Sequence, residues 1–277
     1  MRVIQSSQIK KEVKRLWVEA NFELPEDVID ALKNALEKED SGEGRDVLEK
    51  ILENASIASN KRIPICQDTG FPVVFIYVGQ EVNIEGGLSE AIEQGIREGT
   101  EEGYLRASIV NDPVERVNTG DNTPPVIHAE IIPGNSVKIV VMAKGAGSEN
   151  VSGIRMLRPA DGENGIKNFV LEQVRDAGAN ACPPMVIGVG IGGTAETAML
   201  LAKKASVRSL REPSLSMAGL EQELLEEINS LGIGPAGLGG KTTALAVNVE
   251  SFPCHIAMLP VAVNINCHAC RRKEITL

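Results

Sequence analysis

The five cysteines of this 277-residue chain offer the most distinctive chemistry: Cys66, Cys182, Cys254, Cys267 and Cys270. An odd number of cysteines in a chain expected to be cytosolic argues against a disulfide framework. The residue types alone leave three possibilities, which are buried thiols, a reactive thiol and metal ligands. Cys267 and Cys270 form one CxxC motif, which is a weak indication of zinc because no second cysteine pair exists.

Two glycine-rich segments could bind an anion. GVGIGG at 188–193 fits the G-x-G-x-x-G pattern between a predicted strand and a predicted helix, but the acidic residue expected after a second strand is missing. We therefore favour a tight strand-to-helix turn, whose N–H groups could still face an anion. GPAGLGGKTT at 234–243 misses the P-loop pattern because Pro235 replaces a required glycine. Its backbone N–H groups, with Lys241 or Thr242, could instead bind a carboxylate.

Apolar periodicity predicts the elements that must position these groups. Apolar residues at three-to-four spacing predict helices across residues 7–57, and strand-like runs at 73–78 and 185–193 alternate with further helices. VIHAEIIPG and VKIVVMAKGAG predict two strands joined by a turn at 133–135. The pattern indicates a mixed α+β fold in one domain, 1–277, with a helical region (1–60) followed by an α/β region (61–277).

The composition limits the partners of the chain. A hydrophobic fraction of 43% is enough for a buried core, and the formal net charge of −10 disfavours nucleic acid and anionic membranes. No run of about 18 apolar residues is present, so no membrane span is expected. The N-terminus is charged throughout and lacks the apolar stretch of a signal peptide, so a cytoplasmic location is expected.

Seven segments, in order from about residue 60 to the C-terminus, carry a family resemblance. They are CQDTG, GYLRASIV, DNTPPVIH, KGAGSEN, ACPPMVIGVGIGGTAE, GPAGLGGKTTALAV and LPVAVNINCHA. Several motifs in one order are far more specific than any single motif. The chain is identified as a member of the class I (iron–sulfur) fumarate hydratase and L(+)-tartrate dehydratase alpha-subunit family, and it most resembles the alpha subunit of a two-subunit fumarate hydratase.

The resemblance implies that Cys66, Cys182 and Cys267 hold a [4Fe–4S] cluster. Three thiolates leave one iron open, and that iron can act as a Lewis acid on a substrate hydroxyl and carboxylate. Cys254 and Cys270 are expected to be buried apolar thiols. Cys270 departs from the family pattern, which has a small residue near this position, and Cys267 is preferred as the third ligand.

The resemblance also implies substrate-site residues. Arg106 is expected to pair with a substrate carboxylate, since a planar guanidinium can donate two parallel N–H bonds to it. Asp68 and His255 are assigned catalytic positions. The complete set is Gln67, Asp68, Arg106, Gly145, Gly147 and His255.

The family's catalytic base and further carboxylate-binding groups lie in a beta region that is not in this sequence. The chain is therefore expected to be incomplete by itself and to assemble with a separate beta subunit, as an α2β2 enzyme. The expected reaction is reversible hydration of fumarate to (S)-malate, a small dicarboxylate. The alternatives are L(+)-tartrate dehydration, mesaconate hydration, a non-catalytic cluster or redox-sensing protein, and a nucleotide-binding protein.

Overall fold

The computed structural model describes residues 1–277 and confirms the mixed α+β fold, including the helices predicted across 7–57. None of the helices is long and apolar enough to cross a lipid bilayer. In chain order the elements are β1 (Arg2–Gln5), α1 (Ser6–Phe22), α2 (Glu26–Lys38), α3 (Gly42–Lys61), β2 (Phe71–Gly79), β3 (Val82–Glu85), α4 (Leu88–Glu102), β4 (Val126–Ile132), β5 (Val137–Lys144), α5 (Ala146–Glu149), β6 (Gly153–Leu157), α6 (Gly162–Ala177), β7 (Met185–Gly192), α7 (Ala195–Val207), α8 (Ala218–Asn229), β8 (Ala244–Phe252), β9 (Leu259–Asn266) and β10 (Arg271–Thr276).

The contacts within the chain group it into two compact units. Unit 1 comprises Met1–Pro25, Asn54–Ala146 and Arg271–Leu277, and unit 2 comprises Glu26–Glu53 and Gly147–Cys270. This grouping does not follow the predicted boundary at residue 60, because α1 belongs to unit 1 while α2 belongs to unit 2. The assignment of 1–277 as one domain stays a prediction.

The main sheet of unit 1 has the order β10-β5-β2-β4, and β1 pairs with β3 in a separate parallel pair. The two strands that flank the turn at 133–135, β4 and β5, are not neighbours, because β2 lies between them. β2 pairs parallel with β4 and antiparallel with β5. Its apolar run FPVVFIYVG is largely buried, which suits a central strand covered on both faces.

Helices α1 and α4 pack together in the core of unit 1. Trp17 of α1 is fully buried, and its Nε1 donates a hydrogen bond of 3.0 Å to Oγ1 of Thr100 on α4. A Cβ atom at Gly95 of α4 would lie 2.8 Å from the backbone oxygen of Lys10, so only glycine permits this close helix contact. The core also contains Ile76 of β2.

Unit 2 contains a four-stranded sheet of order β6-β9-β7-β8, packed by α7 and by α6 and α8. The central strand β7 is buried along its whole length. Cβ atoms at Gly188 and Gly190 would lie 2.1 Å and 2.0 Å from backbone oxygens of α7. Two glycines of the GVGIGG motif therefore serve helix-to-strand packing, in agreement with the structural interpretation of that segment.

Candidate functional site

The loop between α3 and β2 carries Cys66, and two hydrogen bonds fix the backbone just before this residue. The N–H of Ile65 donates to the backbone oxygen of Asn21 at 2.9 Å, and the side chain of Asn54 donates to the backbone oxygen of Ile65 at 2.9 Å. Cys66 is half-buried and its Sγ lies 3.4 Å from Oε1 of the exposed Gln67. The loop thus holds Cys66 and Gln67 side by side.

Asp68 organises the same loop with both carboxylate oxygens. Its Oδ1 accepts a hydrogen bond from the N–H of Gly70, and its Oδ2 accepts one from the N–H of Ala146, each at 2.9 Å. Ala146 directly follows Gly145, another predicted site residue. The contacts give Asp68 a positioning function, because they join the CQDTG and KGAGS segments at the end of β5.

Arg106 lies in the segment after α4 and is held through its backbone by Asn122. Asn122 is completely buried; its side-chain nitrogen donates to the backbone oxygen of Arg106 at 3.0 Å, and its oxygen accepts from the N–H of Ser108 at 2.6 Å. The Arg106 side chain is exposed and makes no hydrogen bond or ion pair within the chain. Its guanidinium is therefore available to an external carboxylate. Sequence reasoning missed Asn122, although the DNTPP motif contained it.

The neighbouring Asp121 braces the segment that contains Asn122. Arg97 Nε donates to Asp121 Oδ2 at 2.7 Å, and the N–H and hydroxyl of Thr123 donate to Oδ1 at 3.0 Å and 2.7 Å. Burial raises the pKa of Asp121, but the hydrogen bonds from Arg97 and Thr123 outweigh it and lower the pKa from 3.8 to about 2. The folded state therefore favours the ionised carboxylate.

This pKa difference predicts a pH effect on stability. The stabilisation from Asp121 is fully present above the ordinary pKa of 3.8 and is lost as the pH falls toward about 2. Over this range the unfolding temperature of the unsubstituted chain should fall more steeply than that of Asp121→Asn. The difference in the free energy of unfolding should total about 1 kcal/mol or less, because the ion pair is partly exposed. Thermal unfolding followed by circular dichroism between pH 5 and 2 measures it. Asp46→Asn, at an exposed position of α3, is the control, and identical slopes for wild type and Asp121→Asn would contradict the prediction.

The KGAGS segment contains two glycines with different surroundings. The backbone oxygen of Gly145 lies 3.2 Å from Nζ of the buried Lys144. Gly147 is exposed, and a Cβ atom there would meet only the backbone oxygen of Asn180, at 3.7 Å. Packing within the chain thus does not require glycine at 147, and the bare backbone leaves room for a ligand to approach closely.

Cys182 adopts an unusual backbone conformation. It is exposed, with φ 51° and ψ 64°, which is the left-handed region that costs a residue other than glycine about 1 kcal/mol. Its backbone oxygen accepts hydrogen bonds from the N–H and Nδ1 of His268, at 3.3 Å and 3.0 Å. Because His268 follows Cys267, these bonds place the Cys267 segment against Cys182. Two of the three predicted ligands are therefore neighbours within unit 2.

The other two cysteines have different environments, and none of the five is in a disulfide. Cys270 is 2% exposed, with its Sγ 3.5 Å from the backbone oxygen of Ser206 and 3.6 Å from Nδ2 of Asn266, as expected for a structural thiol. The prediction that Cys254 is buried is wrong: it is exposed in the β8–β9 loop. The whole loop lies at the surface, where the neighbouring His255 and Ile256 are exposed as well, and the Sγ of Cys254 lies 3.3 Å from the backbone oxygen of Met258.

His255 lies in the same exposed loop. Its Nδ1 accepts a hydrogen bond of 3.2 Å from the N–H of Ala257, and its backbone oxygen accepts one of 2.9 Å from Met258. A neutral imidazole whose Nδ1 is an acceptor carries its proton on Nε2. We assign this tautomer from the hydrogen bond, so the outward-facing nitrogen of His255 is a hydrogen-bond donor.

The glycine-rich loop at 234–243 binds a carboxylate that belongs to the chain itself. Glu39 is 2% exposed; its Oε2 accepts from the N–H groups of Lys241 and Thr242 at 2.8 Å and 3.3 Å, and its Oε1 accepts from Ser41 at 3.1 Å. These N–H groups are the ones that a phosphate or a substrate carboxylate would have used. The geometry therefore disfavours nucleotide binding at this loop.

Hydrogen bonds bring some of the predicted site residues together in two groups, which do not include Arg106 or His255. Unit 1 contains the Cys66 loop with Asp68 bound to the end of the KGAGS strand, and unit 2 contains Cys182 beside the Cys267 segment. No three His, Cys, Asp or Glu side chains converge on one point as the ligands of a single metal ion would. Thiolates that hold an iron–sulfur cluster bind separate irons, so that arrangement requires no common point.

The chain combines an α+β fold with the CQDTG, ACPPM and INCHA motifs that carry the family resemblance. The chain belongs to the fumarate hydratase (Fumerase) family, whose sequence model matches residues 10–276. A putative L(+)-tartrate dehydratase subunit alpha from Methanocaldococcus jannaschii is 46% identical over 274 residues, 96% of this chain and 96% of its own. The L(+)-tartrate dehydratase subunit alpha of Escherichia coli K12 is 36% identical over 255 residues, 90% of this chain and 84% of its own. The predicted family is thereby confirmed.

Proposed function

We propose that this chain is the alpha subunit of an iron–sulfur hydro-lyase that interconverts an unsaturated dicarboxylate and its 2-hydroxy acid. The first candidate reaction is the hydration of fumarate to (S)-malate. The second is dehydration of L(+)-tartrate, favoured by the names of the relatives that are 46% and 36% identical. The structural observation that carries the proposal is the exposed, unpaired guanidinium of Arg106, fixed at its backbone by the buried Asn122.

The donor set at Cys66, Cys182 and Cys267 fits a [4Fe–4S] cluster. All three side chains are exposed or half-buried thiols on irregular backbone between regular elements. The left-handed conformation of Cys182 also fits, because strained residues persist where a function requires them. When bound, the cluster supplies a Lewis-acidic iron that polarises oxygen atoms of the substrate.

The other site residues bind and orient the substrate. Arg106 donates two parallel hydrogen bonds to one carboxylate of the substrate. The backbone at Gly147 allows the substrate to approach closely, and Gln67 presents its amide beside Cys66. His255 donates its Nε2 proton in a hydrogen bond to a substrate oxygen. Asp68 keeps the CQDTG loop in place through the N–H groups of Gly70 and Ala146.

None of these residues is well suited to remove a proton from carbon. Both carboxylate oxygens of Asp68 already accept hydrogen bonds, and Nδ1 of His255 accepts one from Ala257. The proposal therefore places the catalytic base on a beta subunit, in an α2β2 assembly. The relatives support this partner, since their names describe them as alpha subunits.

Turnover by the reconstituted complex tests the proposal. The chain is produced with its beta partner, loaded anaerobically with iron and sulfide, and assayed with fumarate, L(+)-tartrate and mesaconate. We expect one of the first two to be converted fastest and the chain alone to be inactive. Full activity without the partner would contradict the placement of the base, and no turnover of any diacid by the loaded complex would contradict the function.

Arg106→Lys should separate carboxylate binding from other roles of this position. Lysine keeps the charge but cannot donate two parallel N–H bonds, so KM for the diacid is expected to rise about 10- to 100-fold. Steady-state kinetics of the loaded complex measures the change. The matched control is Arg116→Lys, an exposed arginine in the same loop region, which should leave KM unchanged. Equal effects of the two substitutions would contradict a specific role for Arg106.

A further inference from the structure

Arg271, the first residue of β10, is a buried arginine beside the CQDTG loop. It is 2% exposed, and its Nη1 donates to Oδ1 of Asn21 at 3.1 Å and to the backbone oxygen of Asp68 at 2.7 Å. Its Nε is also buried and has no hydrogen-bond partner. Both acceptors are neutral groups, and the guanidinium makes no ion pair. Burying a cation without an opposite charge is unfavourable, so the position calls for a functional explanation.

The two acceptors of Arg271 lie on opposite sides of Cys66 along the chain. Asp68 follows Cys66 by two residues and offers its backbone oxygen directly. Asn21 acts on the preceding side, because its own backbone oxygen accepts the N–H of Ile65 at 2.9 Å. Asn21 is completely buried, and its side-chain nitrogen donates to the backbone oxygen of Trp17 at 3.0 Å. That bond fixes the amide so that its oxygen faces Arg271.

We infer that Arg271 is a positioning residue that sets the path of residues 65–68 and thereby the orientation of the Cys66 thiol and the Gln67 amide. The functional importance of that orientation rests on the proposed function, but the contacts of Arg271 do not depend on the proposed function. One buried nitrogen holds both flanks of a loop that contains no regular secondary structure. Without it, the segment keeps the hydrogen bonds of Ile65 and of the Asp68 carboxylate but loses the link between its two flanks, so residues 66 and 67 open more often.

Thiol labelling of the metal-free chain tests the inference in the absence of any cluster. The rate of alkylation is measured by mass spectrometry for each cysteine, with buried Cys270 as the reporter of global folding and exposed Cys182 as the reporter of general reactivity. In Arg271→Met, Cys66 should react about tenfold faster, while Cys182 and Cys270 keep their rates. Arg271→Lys should give a smaller increase, because an ammonium reaches the acceptors less well.

Arg272→Met is the matched control, because it removes the same charge from the adjacent residue of β10, whose side chain leaves the strand on the opposite face. If Arg271→Met fails to fold, which faster labelling of Cys270 would reveal, then Asn21→Ala provides the test by removing one of the two acceptors. An unchanged Cys66 rate in a folded Arg271 or Asn21 variant would overturn the inference. So would an equal increase in the Arg272 control.

A second readout connects the loop to the proposed function. Iron bound per chain and the electron paramagnetic resonance spectrum of the reduced cluster are compared for the loaded complexes of wild type, Arg271→Lys and Arg272→Met. We expect Arg271→Lys to bind less iron or to give an altered spectrum, with the control unchanged. If the wild-type complex binds no cluster, the proposed function fails, yet the labelling result in the metal-free chain still decides the role of Arg271.

Discussion

Cys66→Ser, Cys182→Ser and Cys267→Ser are each expected to prevent cluster binding and to lower hydro-lyase turnover about 10³-fold or more. A Lewis-acidic metal centre supplies several kcal/mol of transition-state stabilisation, and each 1.4 kcal/mol is about a factor of ten in rate. Serine preserves the size of the side chain but is a poor ligand for iron in a sulfur cluster. Iron and sulfide content, visible absorbance and turnover of the anaerobically loaded complex measure the effect.

The same chain offers two matched controls for this series. Cys254→Ser changes an exposed thiol in the loop that carries His255, and Cys270→Ser changes a buried thiol near Ser206. Both variants should bind the cluster, although Cys270→Ser is expected to lower stability slightly. Cluster loss in Cys270→Ser together with cluster retention in Cys267→Ser would show that the third ligand has been assigned to the wrong cysteine.

Glu39→Ala should lower the free energy of unfolding by about 3 kcal/mol. The substitution removes the carboxylate that accepts hydrogen bonds from Ser41, Lys241 and Thr242, and leaves donors without partners in a largely buried place. Glu39→Gln should have a smaller effect, because an amide retains one acceptor oxygen. Urea unfolding of the metal-free chain, monitored by circular dichroism, measures both values.

The control for this prediction is the neighbouring residue. Asp40 is exposed and pairs with Nζ of Lys241 at 2.6 Å, so Asp40→Ala removes a surface ion pair and should change stability by less than about 1 kcal/mol. If Glu39→Ala were no more destabilising than Asp40→Ala, the Glu39 carboxylate would not be what stabilises the glycine-rich loop. Water would then satisfy the N–H groups equally well, with no loss of stability.

Local sequence patterns predicted the helices and strands that are determined by residues close together in the sequence. The helices before residue 61 and the central strands β2 and β7 follow from periodicity and apolar runs. β10 was missed because RRKEIT has no apolar alternation, and it becomes a strand by pairing with β5, far away in the sequence. The separation of β4 and β5 by β2 is likewise a long-range choice that a turn signal cannot reveal.

The site shows the same limit. Motifs selected Cys66, Arg106 and the other candidate residues, whose functions stay predictions, but not the groups that hold them. Glu39 contacts Lys241 across 202 residues, and Arg271 contacts Asp68 across 203 residues. A buried Glu or Arg resembles a surface residue until the fold removes water from it, so no single-sequence pattern would have selected either one. Within the motifs, GGKTT and DNTPP make hydrogen bonds that hold other parts of the chain, the first with Glu39 and the second with the backbone of Arg106.

The left-handed backbone of Cys182 sets the stability of the chain against the proposed role of this residue as a cluster ligand. Glycine would adopt φ 51° without strain, so the metal-free chain would be more stable with glycine there than with the residue it has. Selection for folding alone would thus remove the thiol, whereas selection for the proposed activity would retain it. In a relative that no longer needs the proposed activity, replacement of the residue at position 182 by glycine is therefore expected.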